Sequence, residues 1–126
     1  MKFFEKNRNE LLARGIDPDR LPPGQYHTDR FPVLHVGDVP TYDMTTWSVS
    51  IGGNVERPFT LSWDELRALP AVDITTDIHC VTKWSKFDTG WKGVRLRDLF
   101  ERAGMRPDTA HLIQHAEYGY TANVPI

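Results

Sequence analysis

The only cysteine of the chain, Cys80, stands in the stretch DIHCVTKWS, residues 77–85, between alternating apolar residues and a Trp-Ser pair. A single thiol makes no internal disulfide, and the two-cysteine spacings of zinc sites fall away with it. Three roles remain open. A free cysteine packs in a core as a small hydrophobe. It can attack a substrate as a nucleophile, with His79, His111 or His115 as base. Or its thiolate is one soft ligand to a metal whose remaining donors a cofactor brings.

The elements that must position this thiol follow from the pattern around it. In AVDITTDIHCV, Val72, Ile74, Thr76, Ile78 and Cys80 share one parity. The spacing predicts a strand with the thiol at its end on the apolar face and His79 turned to the other. KWSKFDTGWKG reads as a loop. In VRLRDLFERAG, Leu96, Leu99, Phe100 and Ala103 fall at i, i+3, i+4 and i+7 before Gly104, a helix and its stop.

Upstream, TWSVSI alternates Trp47, Val49 and Ile51 as a strand, Gly52-Gly53 breaks it, and VERPFTL resumes extended structure. SWDE spells a capping box, Ser62 with Glu65, that opens a short helix ended by Pro70. AHLIQHA is a further strand. Residues 3–14 predict a helix with Gly15 as its cap, and the four prolines between residues 17 and 32 predict an extended arm. The sum is an α+β domain, mixed and mostly β. We divide it into a helix and proline-rich arm over 1–30 and a main domain over 31–126.

The 126 residues are 40% hydrophobic and 25% charged with a formal net charge of -2, ordinary for one globular domain. There is no basic stripe for nucleic acid and no apolar run long enough for a membrane span. The charged N-terminal run MKFFEKNRNELLARG predicts a cytoplasmic protein. The apolar, strand-like TANVPI at the C-terminus predicts that the domain is incomplete there. The charges of RLRDLFER read as a solvated helix face, and Arg95 or Arg97 could also meet a phosphate.

The segment Cys-Val-Thr-Lys-Trp-Ser, followed by WKGVRLRDLF and preceded by WSVSIGGNVERPFTL, resembles the sulfite oxidase-like molybdopterin-dependent oxidoreductases. Within that superfamily it is most similar to the branch of the bacterial methionine sulfoxide reductase catalytic subunit. The resemblance covers residues 31–126 and implies a sulfite oxidase-like fold. It implies a molybdenum-molybdopterin cofactor with Cys80 as the protein thiolate on the metal, and oxygen-atom transfer to or from a sulfoxide- or sulfite-type substrate. Leu34 and His35 then fall where the branch contacts the pterin, Trp84 and Ser85 shape the pocket wall, and His115 faces the cofactor. Lys83 would be exposed or substrate-facing.

The chain departs from the vertebrate-type enzymes, which carry an arginine-bearing segment after the cysteine; Val81-Thr82-Lys83 stands here instead, against sulfite itself as substrate. The phosphate-binding groups of the family lie in its later part. The partners implied are a small-molecule substrate and a separate electron-transfer protein. The two competing functions are a cysteine-nucleophile enzyme with a histidine base and a non-catalytic binding module.

Overall fold

The computed structural model describes residues 2–35 and 37–126. It is mixed α and β, mostly strand, and its contacts divide into two units, residues 1–34 with 73–92 and residues 35–72 with 93–126.

In the first unit, helix α1 (Lys2–Ala13) ends as expected, with Gly15 in the left-handed conformation at φ 73°. Its Leu11 is buried with Leu21 and Phe87, and Ile16 packs against the three. Leu21 comes from the arm and Phe87 from the segment after the cysteine, so the core ties helix, arm and thiol region together. A bidentate pair of bonds from Arg14 to Asp29 and a single bond from Arg8 to Asp19 brace the same arm on its exposed side.

The arm is more ordered than an extended loop. A 3-10 turn at Pro18–Arg20 is capped by the Asp17 carboxylate, and strand β1 (Tyr26–His27) follows. Pro22-Pro23-Gly24-Gln25 makes the bend between them, with Gly24 at φ 76° and the Gln25 N–H donating to Pro22 O at 3.1 Å. Those are the φ value and residue types of a type II turn.

β1 pairs in parallel with the start of β5 (Trp84–Gly93), Tyr26 opposite Trp84 and His27 opposite Ser85. β5 in turn neighbours β4 (Val72–His79), giving the order β1-β5-β4. The four residues between β4 and β5 are too few for anything but an antiparallel hairpin.

Two expectations are corrected here. KWSKFDTGWKG is the longest strand, not a loop. Ser85, Phe87 and Thr89 are buried at period two, a pattern masked in the sequence by Lys86, Asp88 and Gly90 on the other face. The apolar parity of β4 is not a buried face either: Ile74 is 52% exposed, and Cys80 sits half-buried in the turn just beyond the strand.

In the second unit, β2 (Ser48–Ile51) and β3 (Phe59–Ser62) form an antiparallel pair, with Ile51 opposite Phe59. Leu61, at 2% exposed, is its most buried side chain. Helix α2 (Trp63–Ala68) starts at the capping box read from the sequence: Ser62 Oγ accepts from the Glu65 N–H at 3.2 Å, and Glu65 Oε2 accepts from the Ser62 N–H at 2.8 Å. Helix α3 (Leu96–Ala103) buries Leu99 and Ala103 and ends on Gly104 at φ 66°, while Leu96, expected on the core face, is exposed. β6 (His111–His115) and β7 (Thr121–Pro125) are a second antiparallel pair. No helix among the described residues is long and apolar enough to cross a membrane.

Candidate functional site

Cys80 is held at the tip of the β4–β5 hairpin. Its N–H donates to Trp84 O at 2.8 Å, and its carbonyl accepts the Lys83 N–H at 3.0 Å. Lys83 takes φ 74°, a left-handed conformation uncommon for a side chain of its size, and this closes the turn. The backbone on both sides of the cysteine is therefore fixed by hydrogen bonds, and the sulfur is left half-exposed.

One side-chain hydroxyl donates to the sulfur itself. The Thr82 hydroxyl donates to Sγ at 3.2 Å. That bond, together with the backbone N–H groups of Thr82 and Val81, draws the thiol below the ordinary cysteine range against a smaller opposing effect of burial. Hydrogen bonding of this kind favours the thiolate, the form that ligates metals and attacks electrophiles.

Behind the thiol runs a chain of polar groups. Gln25 Nε2 donates to the Cys80 carbonyl at 3.0 Å. Ser85 Oγ donates to Gln25 Oε1 at 3.1 Å, and His79 Nδ1 lies 2.8 Å from Ser85 Oγ. Ser85 is completely buried. Neither Gln25 nor Thr82 stood out in the sequence as a group serving the cysteine. The one signal for Gln25 was the Pro-Pro-Gly turn that delivers it.

The expected site residues fall out as follows. Cys80, Trp84 and Ser85 lie together in the first unit, where Leu34 is also found, exposed. Trp84 is buried edge-to-face against Phe31, their ring centroids 5.9 Å apart. Its Nε1 is enclosed and has no hydrogen-bond partner among the described residues. An indole N–H shut away without an acceptor is uncommon in a finished interior.

His35 and His115 belong to the second unit. His35 is exposed, and its Nδ1 meets Gly37 O at 2.7 Å. His115 is exposed on β6, where it lines a groove of about 440 Å³ together with His111, Ser50 and Asn54. As for a histidine base, the His79 ring nitrogen nearest its neighbours is engaged by Ser85, and the recorded side-chain partner of the thiol is Thr82.

Among the described residues, no group of three or more His, Cys, Asp or Glu side chains could hold a metal ion alone. Cys80 offers one soft sulfur donor at a half-exposed turn. Such a donor fits a metal that arrives with most of its ligands already in place, carried by a cofactor.

Comparison with known proteins decides the family. The oxidoreductase molybdopterin binding domain matches residues 36–126, most of the chain. The chain belongs to that family. Among its relatives is the uncharacterized oxidoreductase YuiH of Bacillus subtilis, 47% identical over 108 residues, 85% of this chain and 54% of YuiH. The NADH nitrate reductase 1 of rice is 36% identical over 76% of this chain and 12% of its own length. The catalytic subunit MsrP of the Campylobacter jejuni protein-methionine-sulfoxide reductase is 28% identical over 77% of this chain and 32% of its own length. No solved structure matches. The chain thus spans about half or less of these relatives, and its cofactor class is the family's molybdopterin.

Proposed function

We propose that this chain is the cysteine-bearing part of a molybdopterin-dependent oxidoreductase that moves an oxygen atom to or from the heteroatom of a sulfoxide- or sulfite-type substrate. Cys80 is the protein thiolate on molybdenum. The observation that carries this reading is the sulfur at the hairpin tip, held by the Thr82 hydroxyl, in a donor set that among the described residues is too sparse for a metal without a cofactor. The family and a relative named for methionine sulfoxide reduction supply the reaction class.

When bound, the cofactor supplies a metal able to change oxidation state and exchange oxygen with substrate. The chain's own residues do the rest. The Cys80 turn is fixed in direction, because both flanking backbone bonds are made before any ligand arrives, and the Thr82 hydroxyl on the sulfur draws its pKa down. Trp84 and Ser85 back the hairpin, and the exposed Val81-Thr82-Lys83 face the approaching substrate. Lys83 then gives that approach a positive charge without the bidentate fork of an arginine. On this reading Leu34 of the first unit, and His35 and His115 of the second, are cofactor-contact positions taken from the family resemblance. Electrons come from a separate protein, in keeping with a relative that is itself called a catalytic subunit.

The test is molybdenum and pterin content of the full-length protein made in a cofactor-producing host, beside its Cys80→Ser variant. Stoichiometric molybdenum in the parent and its loss in the variant are expected. Molybdenum retained by the variant with activity intact would remove Cys80 from the metal.

A further inference from the structure

The polar chain behind the hairpin has only one consistent direction. The Cys80 carbonyl can only accept, so the Gln25 atom 3.0 Å from it is the amide nitrogen. That places Gln25 Oε1 against Ser85 Oγ at 3.1 Å, and an amide oxygen can only accept as well, so the single Ser85 hydroxyl hydrogen is spent there. The contact of 2.8 Å between Ser85 Oγ and His79 Nδ1 then requires the hydrogen to sit on the ring nitrogen. His79 donates from Nδ1, and its Nε2 lone pair is left free on an exposed side chain.

Three further facts show that the link is built rather than incidental. Ser85 is 0% exposed, so bulk solvent does not reach its hydroxyl. Gln25 is placed from both sides: the Pro22–Gln25 turn precedes it, and the Tyr26 N–H and Thr28 N–H bond to Lys83 O and Ser85 O at 2.8 and 2.9 Å just after it. It also comes from a segment that precedes the matched domain, residues 36–126.

From this we propose that Gln25 is a positioning residue for the Cys80 turn, holding the cysteine carbonyl directly and fixing the ring tautomer of His79 through Ser85. The proposal rests on Cys80 being the metal ligand. It means that the arm, although outside the matched domain, supplies part of the support behind the metal. Partners that orient a ligand without touching the metal typically alter metal affinity about 10- to 100-fold when removed.

The experiment compares the full-length protein with Gln25→Leu and Gln25→Glu, by two readouts. Long-range nitrogen–proton NMR correlations report which ring nitrogen of His79 carries the hydrogen, and the rate of molybdenum loss on dialysis reports how well the metal is held. Gln25→Leu removes both bonds, so the fixed Nδ1–H signature is expected to give way to a mixture and molybdenum loss to quicken about tenfold. Gln25→Glu keeps an acceptor for Ser85 but no donor for the carbonyl, so the His79 signature is expected to persist while the metal loosens. Because the strand bonds at Tyr26 and Thr28 use only backbone atoms, the second variant also separates loss of the bond from loss of the strand.

An unchanged His79 signature in Gln25→Leu, or wild-type molybdenum retention in both variants, overturns the proposal. Unchanged retention in Cys80→Ser instead overturns the ligand assignment, and the His79 signature still decides the role of Gln25.

Discussion

The Thr82 hydroxyl donates to the Cys80 sulfur at 3.2 Å, two residues along the same turn. It is the largest of the influences that lower the thiol's pKa, ahead of the backbone N–H of Thr82 itself. A threonine in this place therefore shifts the sulfur toward its thiolate form. In cofactor-free protein, Thr82→Val is expected to move the pH profile of iodoacetamide alkylation at Cys80 to higher pH, and Thr82→Ser to leave it close to the parent. An unmoved midpoint in Thr82→Val would show that the backbone donors suffice.

His27 gives the first unit an acid sensitivity. Its side chain is 7% exposed, its ring stacks at 4.9 Å on Phe87, and burial holds its pKa below the ordinary 6.5. Asp29 opposes that shift, while Arg14, Arg20 and Lys86 reinforce it. The folded chain thus keeps His27 neutral where the unfolded chain takes up a proton, so the unfolded state binds more protons and stability falls as the pH drops below about 6.5. Urea midpoints measured between pH 7.5 and 5 should fall in the parent and fall less steeply in His27→Gln. Equal slopes would assign the acid sensitivity to other groups.

Leu11 is 1% exposed at the centre of the cluster with Leu21 and Phe87. Leu11→Ala removes buried methyl groups and leaves a cavity, a change that costs about 2–5 kcal/mol. Because Leu21 belongs to the arm and Phe87 to β5, hydrogen exchange at Tyr26 and Thr28 should quicken as well. A loss confined to α1, with those amides still protected, would show that the arm docks without the helix.

Gly104 ends α3 at φ 66°, and a Cβ there would stand 3.0 Å from the side-chain tips of Arg57 and Glu56 and 3.1 Å from Glu56 Cβ. Gly104→Ala is expected to destabilise by about 1–2 kcal/mol, mostly from the left-handed backbone, since two of the three near atoms are ends of flexible side chains. Ser62→Ala, which removes the capping bond of α2, should cost about 1 kcal/mol. Thermal melts of the two single variants check both values.

The helices and caps were legible in the sequence because their signals are local. Gly15, Gly104 and the Ser62–Glu65 box all lie within one turn of what they terminate. The cysteine and its family motif were legible for the same reason. What escaped the sequence was non-local. β5 reads as a loop because Lys86, Asp88 and Gly90 on its open face mask the alternation, and its strand character comes from pairing with β1 and β4. Gln25 is half-buried, polar and remote from Cys80 in the chain, and nothing in residue type or spacing ties the two until the Pro-Pro-Gly turn is seen to aim one at the other. Ile74 shows the reverse error: its alternation is correct, but the face it shares lies open among the described residues.

The parallel pairing of β1 with β5 also bears on how the protein is made. Gln25 and the Ser85 it holds lie 60 residues apart, so on the ribosome the arm emerges long before its partner strand exists. Helix α1 can form at once from local bonds, but the Tyr26 and Thr28 N–H groups have no strand partner until residues 83–85 have been made. Docking of the arm thereby comes only after most of the first unit's sequence has been synthesised.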